Sequence, residues 1–517
     1  MSYHTASYFL LFLPVVLLAY QLFPQKKRWI VLIAASCVFY WSFSGKLIIF
    51  IFGAALFTHY AAVWMTWLRE NPSGTEAERR RSEKAVLAFG ILGLLSVLGY
   101  LKYYNFFVEN GERLFSVFGL RFPLQVKELL LPLGISFYTL QAIGYLLDVY
   151  WKKAEVCRHP GKTMLFLSFF PIIMEGPLCA YSQTADDLWK GEPIRARNFT
   201  QGCVRILWGL FKKLIIADRL NVMVCRIFDH HEEYQGVLIA VAAVAYTVQL
   251  YMEFSGSIDI VIGSGTFFGV RIPENFRQPF FAADAAEFWR RWHISLGTWL
   301  RTYVFYPVSV SRPVKRWNRY ARKRLGRHAA GIGALAMALF PVWLCNGLWH
   351  GPKWNYIFYG MYYFAVLLFT AIFDPVRDAV LNRLGIDKNA AWYRAIRIVK
   401  TWPIIFTGEL FFRASGLRAG MAMFRSMFRG LSVSRPTAET WLALGLDQGD
   451  YLAIAAACAV VLAVGIIKEK QLLGEDGLLK LRRPVRWCIY YGLIFSVVIF
   501  GAYGTGYQPV DLIYAGF

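Results

Sequence analysis

The sequence predicts an all-helical protein that crosses a membrane several times. Of its 517 residues, 57% are hydrophobic and only 17% are charged, and the mean hydropathy is +0.41. A water-soluble domain does not hide so large an apolar fraction in one core. Apolar stretches long enough to cross the hydrocarbon layer also recur along the whole chain. These two observations indicate a polytopic membrane protein.

The apolar stretches follow one another from the first residues to the last. The opening stretch has no Lys or Arg before it and three basic residues, Lys26 to Arg28, directly after it. That order is the reverse of a cleavable signal peptide, so it predicts a retained helix. Two stretches, 163–180 and 287–307, are interrupted by Gly, Pro or charge and are predicted to be re-entrant or interfacial. The predicted spans are 8–23, 47–68, 85–101, 129–150, 237–253, 331–349, 356–373, 451–467 and 488–503.

The formal net charge of +23 reflects basic residues in short loops between apolar spans. They are not mixed with stacking aromatic residues on a soluble domain, so positive-inside topology explains them better than nucleic-acid binding does. On that rule the N-terminus and the tail 504–517 are extracytoplasmic, which requires an even number of crossings. The simplest partition is one membrane-embedded domain over 1–517. The predicted cytoplasmic loops are 26–28, 69–84, 152–162, 195–197, 312–327 and 468–486.

Two histidines stand in apolar surroundings, where an ionisable group is costly and invites a functional interpretation. His350 ends the apolar run 331–349, and His293 lies among cations and tryptophans in 288–296. Imidazole can act as a base near neutral pH, although each ring could also be a satisfied polar core residue. The eight cysteines show no metal-ligand spacing, so we predict no metal site and no bound cofactor.

Two further stretches concentrate charge. Residues 312–327 carry eight cations and no acid, a pattern that could receive coenzyme A phosphates or an acidic carrier protein. The alternative is a topological anchor that faces anionic lipid. In 246–262, Glu253 and Asp259 stand in an apolar context and are predicted to hold helices together. The candidate donor-binding residues in the basic stretch are Arg319, Arg322, Lys323 and Arg324.

Four ordered motifs resemble those of the membrane-bound O-acyltransferases. They lie at 102–107 (KYYNFF), 131–138 (LPLGISFY), 288–301 (FWRRWHISLGTWLR) and 347–351 (GLWHG). The length and the tail resemble the membrane subunit of bacterial alginate-type polysaccharide O-acetyltransferases. The resemblance implies a ring of tilted helices around a thinned core, with a cytosolic opening for the acyl donor. It also implies His350 as the catalytic histidine, His293 as a second one, and path residues Tyr138, Arg290, Arg291, Trp292 and Asn346.

The resemblance implies transfer of an acetyl group from cytosolic acetyl-CoA to an extracytoplasmic polysaccharide or peptidoglycan. Such a protein works in the inner membrane of a bacterium, beside a separate hydrolase-like partner and without nucleic acid. An amide such as Asn346, or a nearby tryptophan N–H, could stabilise the developing oxyanion. Three departures leave the acceptor open: Glu253 and Thr302 stand where relatives carry Asp, and Glu175 precedes Gly176.

The C-terminal tail and two rival functions complete these predictions. Tyr514 resembles the tyrosine of a terminal motif in cell-wall D-alanylation systems, which makes it a candidate acyl relay; an interfacial aromatic anchor is the alternative. A D-alanyl transferase for teichoic acids, fed by a carrier protein, would share the motifs. A membrane transporter or lipid flippase would also be basic inside, but it would have no reason to hold two histidines in such motifs.

Overall fold

The protein is almost entirely helical. The computed structural model describes residues 2–71, 74–429, 437–472, 477–503 and 507. It is 78% helical, and the described residues contain no β-strand. The predicted all-α class is therefore confirmed.

Twenty-two α-helices follow one another in the described part of the chain, joined by short π- and 3₁₀-helical turns. The π-helical segments are Tyr8–Phe12, Gly99–Tyr103, Phe211–Ala217 and Arg301–Phe305. The helices are α1 Leu13–Leu22, α2 Arg28–Ser44, α3 Ile48–Glu70, α4 Glu76–Leu98, α5 Tyr104–Val117, α6 Ile135–Tyr150, α7 Pro160–Ser168, α8 Tyr181–Lys190, α9 Ala196–Leu210, α10 Asp218–Asp229, α11 Val237–Phe267, α12 Ala285–Arg291, α13 Ile294–Leu300, α14 Tyr306–Ser309, α15 Arg312–Arg324, α16 Gly326–His350, α17 Trp354–Arg383, α18 Ala391–Arg413, α19 Leu417–Ser426, α20 Ala438–Leu442, α21 Gln448–Glu469 and α22 Arg483–Phe500.

Seven helical segments of the described chain are long and apolar enough to cross a membrane, so the polytopic prediction is confirmed. Seven of the nine predicted stretches overlap these segments. The stretch 129–150 does not, because its helix begins only at Ile135, after Pro132 and a left-handed Gly134 with φ 76°. The opening stretch forms a shorter apolar helix, Tyr8–Leu22. The segments are Gln25–Glu70, Glu76–Val117, Val237–Phe267, Gly326–His350, Trp354–Arg383, Gln448–Glu469 and Arg483–Phe500.

Contacts group the chain into two compact units. One comprises Met1–Ile206 with Ser257–Pro273, and the other comprises Leu207–Gly256 with the described residues from Glu274 onward. The prediction of one membrane-embedded domain remains a prediction. In the first unit, the side chain of Tyr3 donates to the carbonyl of Phe170 at 2.7 Å. Buried aromatic rings surround that bond and form the core of this unit.

In the second unit, α16 and α17 pack backbone against backbone. A Cβ added at Gly347 would lie 2.5 Å from the carbonyl oxygen of Tyr356, and a Cβ at Gly360 would collide with the carbonyl of Trp343. Glycine at both positions lets the two helices approach closely. This contact fixes the C-terminal end of α16, where His350 stands, against the first turns of α17.

A buried charge cluster joins the π-helical segment Phe211–Ala217 to α11 in the same unit. Lys213 Nζ lies 2.6 Å from Asp218 Oδ1 and 2.9 Å from Glu253 Oε2, and all three side chains are at most 4% exposed. Charged side chains are tolerated in a protein interior when they are paired in this way. Glu253 thus makes the helix-joining contact that its apolar setting predicts.

Candidate functional site

His350 is the last residue of α16 and is buried among aromatic rings. Its side chain is 6% exposed. The centroid of its ring lies 4.8 Å from that of Phe412, 5.0 Å from that of Trp349 and 5.8 Å from that of Tyr359. The rings of Phe412 and Tyr359 both stand perpendicular to the imidazole, at 89°. The packing places the imidazole in an apolar, desolvated environment, where electrostatic contacts are strong.

Asn355 holds in place the part of α18 that carries Phe412. The Asn355 side chain is 1% exposed, and its Nδ2 donates to the carbonyl oxygens of Phe411, Phe412 and Ala414 at 3.1 to 3.3 Å. The last carbonyls of a helix have no partner within the helix. Asn355, in the first turn of α17, supplies that partner to α18 and so holds Phe412 against His350.

Glu409 is a buried carboxyl group one contact away from His350. The Tyr359 hydroxyl donates to Glu409 Oε1 at 3.0 Å, and Glu409 is fully buried. Burial raises the pKa of Glu409 to about 8, although the hydrogen bond from Tyr359 opposes the shift. Helix α18, which carries Glu409, is not one of the seven candidate spans. Sequence analysis missed this residue, although a lone acid within the apolar stretch 404–412 was a usable signal.

His293 occupies the break between α12 and α13. Its backbone is left-handed, with φ 45° and ψ 51°, and its side chain is 3% exposed. His293 Nδ1 lies 3.4 Å from Oδ1 of Asn275, and its ring packs 4.9 Å from that of Phe254. Burial lowers the pKa of His293 to about 3, so the imidazole is neutral at physiological pH.

The two predicted histidines meet at one tryptophan. The ring centroid of Trp349 lies 5.4 Å from that of His293 and 5.0 Å from that of His350. Asn346, one turn before His350 on α16, is 4% exposed, and its Oδ1 has no hydrogen-bond partner among the described residues. Residues that lie far apart in the sequence therefore form one buried cluster around Trp349.

The remaining residues of motif 288–301 have structural contacts of their own. The ring of Trp292 stacks on Phe288 with centroids 5.3 Å apart, whereas Arg290 is exposed. The Arg291 guanidinium pairs with Glu287 at 2.8 Å and with both oxygens of Glu469 at 2.8 and 2.9 Å. Hydrogen bonding to Glu469 raises the pKa of Arg291. This network joins α12 to α21, and a role of these residues along a substrate path stays a prediction.

Tyr138 and the basic residues of α15 belong to other parts of the chain. Tyr138 belongs to the first unit, is 2% exposed, and its hydroxyl has no partner among the described residues. Tyr514 lies outside the described residues. Within the tail 504–517, Tyr507 donates to Asp450 Oδ1 at 2.6 Å, and Arg219 donates to the same oxygen at 2.9 Å. All four candidate donor-binding residues are exposed on α15: Arg319, Arg322, Lys323 and Arg324. In the described chain, no group of three or more His, Cys, Asp or Glu residues could hold a metal ion.

Comparison with known proteins agrees with the motifs. The family model for MBOAT, the membrane-bound O-acyltransferase family, matches residues 161–399. The Probable alginate O-acetylase AlgI of Pseudomonas putida is 32% identical over 428 residues, which cover 83% of this chain and 80% of that protein. The peptidoglycan O-acetyltransferase of Helicobacter pylori is 28% identical over 461 residues, which cover 82% of this chain and 79% of that protein.

A third relative is named for the transfer of D-alanine and not of acetyl. The teichoic acid D-alanyltransferase of Bacillus subtilis is 29% identical over 246 residues, 46% of this chain and 58% of that protein. The extent and identity of the match to AlgI, together with the family model, confirm the resemblance seen in the motifs and set aside the transporter or flippase alternative. The chain is a multi-pass membrane enzyme that belongs to the membrane-bound O-acyltransferase family.

Proposed function

We propose that the protein transfers an acetyl group from cytosolic acetyl-CoA to a hydroxyl group of an extracytoplasmic polysaccharide or peptidoglycan. The relatives named for acetyl transfer match 82 to 83% of the chain, whereas the D-alanyltransferase of Bacillus subtilis matches 46%. The wider match supports acetyl rather than D-alanyl as the acyl group. The buried His350, enclosed by aromatic rings at the end of α16, is the observation that carries the proposal.

In this proposal His350 is the general base. The hydroxyl oxygen of the acceptor attacks the thioester carbonyl carbon while His350 takes the hydroxyl proton. The C–S bond then breaks, and the imidazolium returns the proton to the departing thiolate of coenzyme A. A positioned base contributes about 10²–10⁴-fold to the rate of such a step. Asn346, one turn away, donates its amide N–H to the developing oxyanion in the same proposal.

The donor is bound, in this proposal, through the basic helix α15. Its exposed guanidinium and ammonium groups would pair with the phosphates of coenzyme A in charge-assisted hydrogen bonds. The same helix also suits an anionic lipid surface, which is the alternative prediction for these residues. The four residues proposed for this contact are Arg319, Arg322, Lys323 and Arg324.

In this proposal, the C-terminal tail and a partner protein deliver the acetyl group to the acceptor. Tyr514 would take the acetyl group as a phenyl ester and pass it on, and a separate extracytoplasmic hydrolase-like protein would complete the transfer. In this proposal the enzyme works in the inner membrane of a bacterium. Direct transfer at His350, with Tyr514 as an interfacial anchor, is the competing route.

The test is a comparison of esters on the polymer. A deletion strain would be complemented with the wild-type gene, and its wall or secreted polymer would be hydrolysed with mild alkali, which releases both acetate and D-alanine. We expect restored acetate and unchanged D-alanine. Restored D-alanine without acetate would overturn the acetyl donor and favour the carrier-fed D-alanyl transferase instead.

A further inference from the structure

The backbone of His293 is held in a conformation that a non-glycine residue rarely adopts. Its φ of 45° lies in the left-handed region, where the Cβ atom meets steric resistance. Such a conformation persists only where neighbouring contacts enforce it, and such residues cluster at functional sites. Several contacts to the chain around His293 come from one short segment, 275–277.

Asn275 makes most of those contacts. Its side chain is 0% exposed, and its Oδ1 accepts a hydrogen bond from the backbone N–H of Ser295 at 2.9 Å. Its backbone oxygen accepts from the N–H of Ile294 at 3.0 Å. Two residues later, the N–H of Arg277 donates to the carbonyl of Arg291 at 2.9 Å. The chain on both sides of His293 is therefore tied to Asn275 and Arg277.

The bond from Ser295 also fixes which way the Asn275 amide points. A backbone N–H can only donate, so the amide atom that faces Ser295 must be the oxygen and not the NH₂ group. The same oxygen lies 3.4 Å from His293 Nδ1. Because an amide oxygen cannot donate, a hydrogen bond between these atoms requires the hydrogen on Nδ1.

We infer that Asn275 is a positioning residue that holds His293 as the Nδ1–H tautomer, with the lone pair on Nε2. In that state Nε2 is the ring atom that can accept a proton or a hydrogen bond, and the ring is fixed against Trp349 at 5.4 Å. Partners of this kind commonly set the tautomer and orientation of a functional histidine. The effect on catalysis rests on the proposed function, whereas the tautomer itself does not.

The tautomer can be measured directly on the full-length protein. Uniformly ¹⁵N-histidine-labelled protein in lipid nanodiscs would be studied by NMR, with the His293 signals assigned by their loss in His293→Gln. Wild-type His293 should carry its hydrogen on Nδ1. Asn275→Ala should shift the population toward the Nε2–H form, and Asn275→Asp, which keeps an acceptor oxygen, should retain Nδ1–H.

Two results would overturn the inference: a wild-type His293 protonated on Nε2, or an Asn275→Ala protein with an unchanged tautomer. Asn105 offers a control, since its side chain, like that of Asn275, hydrogen-bonds to the backbone. Its Nδ2 donates to the carbonyl of Lys127 at 2.8 Å, and its Oδ1 accepts from the N–H of Lys127 at 3.0 Å. Asn105→Ala should leave the His293 signals in place. If Asn275→Ala does not fold, the Asp variant and a Ser variant test the same bond.

Activity gives an independent readout. Asn275→Ala should lower turnover about 10-fold or more, with partial rescue in Asn275→Asp and little change in the acetyl-CoA concentration needed for half-maximal rate. Full turnover in a folded Asn275→Ala protein would contradict the positioning role. If wild-type protein transfers no acetyl group at all, the proposed function fails, and the tautomer measurement still decides the inference.

Discussion

The imidazole of His350 stands edge to face with the ring of Phe412, with centroids 4.8 Å apart and planes at 89°. The two residues come from different helices, α16 and α18, and meet because Asn355 holds the end of α18 in place. An imidazole enclosed in this way is shielded from water. In the proposed acyl transfer, the proton that it takes comes from the acceptor hydroxyl group.

Replacing His350 by Ala should abolish acyl transfer without unfolding the protein. Loss of a general base lowers the rate by about 10²–10⁴-fold. The measurement is polymer acetylation in a complemented deletion strain, at matched expression and membrane insertion. His328 provides the control, because this histidine on the same helix is exposed and lies 3.2 Å from the backbone carbonyl of Ile372 on α17, so His328→Ala should retain acetylation. Normal acetylation in His350→Ala would end the catalytic assignment.

Glu409→Gln should change how stability depends on pH. The carboxyl group titrates at about 8 in the folded protein and at 4.5 in its ordinary state, so between these values the folded state binds more protons than the unfolded state. Stability therefore falls as pH rises through this window. Glutamine still accepts the Tyr359 hydrogen bond but does not ionise, so the variant should lose this decline. Thermal unfolding in detergent at several pH values measures it.

The control for that experiment is an exposed acid. Glu439→Gln on α20, where the side chain is exposed, makes the same chemical change outside the buried site and serves as the comparison. An identical decline in wild type and Glu409→Gln would show that another group causes it.

Gly347→Ala should destabilise the protein by about 1–3 kcal/mol, the usual cost of forcing an atom into a packed contact. The added methyl group would lie 2.5 Å from the carbonyl oxygen of Tyr356 and push α17 away from α16. Gly331→Ala, on the same helix, meets nothing within 4 Å and should be neutral or stabilising. Equal unfolding midpoints for the two variants would contradict the close approach of the helices.

Neutralising the basic face of α15 should weaken donor use if this helix binds coenzyme A. The variant replaces four residues with Gln at once: Arg319, Arg322, Lys323 and Arg324. Binding of acetyl-CoA to purified protein of verified orientation should weaken, and its dependence on salt should become shallower, because charge-assisted contacts are lost. Unchanged affinity over a range of salt would leave the helix as a lipid anchor.

Tyr514→Phe tests the proposed relay, since it removes only the hydroxyl group and keeps the ring. Export of acetyl to the polymer should stop, while insertion and stability remain. In cells without the partner, wild-type protein should accumulate an acetylated C-terminal peptide detectable by mass spectrometry. Normal polymer acetylation in the variant would reject the relay and favour direct transfer at His350.

The sequence predicted His293 and His350 as candidate functional residues, because an ionisable residue in an apolar stretch is conspicuous without any knowledge of contacts. It could not show that His293 and His350 share Trp349, since 56 residues separate the two histidines and only tertiary packing brings them together. Asn275 gave no signal at all. A single amide in a loop becomes informative only once its hydrogen bonds to Ser295 and His293 are visible.

The helices, too, were predictable from the sequence only in part. Apolar length predicted most of the spans, because hydrocarbon thickness sets that length directly. It placed the start of α6 too early, at 129, because hydropathy does not register that Pro132 and a left-handed Gly134 delay the helix until Ile135. Residues 287–307 lie in several short helical segments, with a break at the left-handed His293, and their re-entrant or interfacial position stays a prediction.

The position of His350 as the final residue of α16 has an electrostatic consequence. The peptide dipoles of this 25-residue helix add up to a partial negative charge at its C-terminal carbonyls, beside the imidazole. Aromatic burial disfavours a charged ring, but this end of the helix favours a cation by roughly 0.3–2 kcal/mol. In the proposed step, this end of the helix therefore offers a partial negative charge to the imidazolium as it forms.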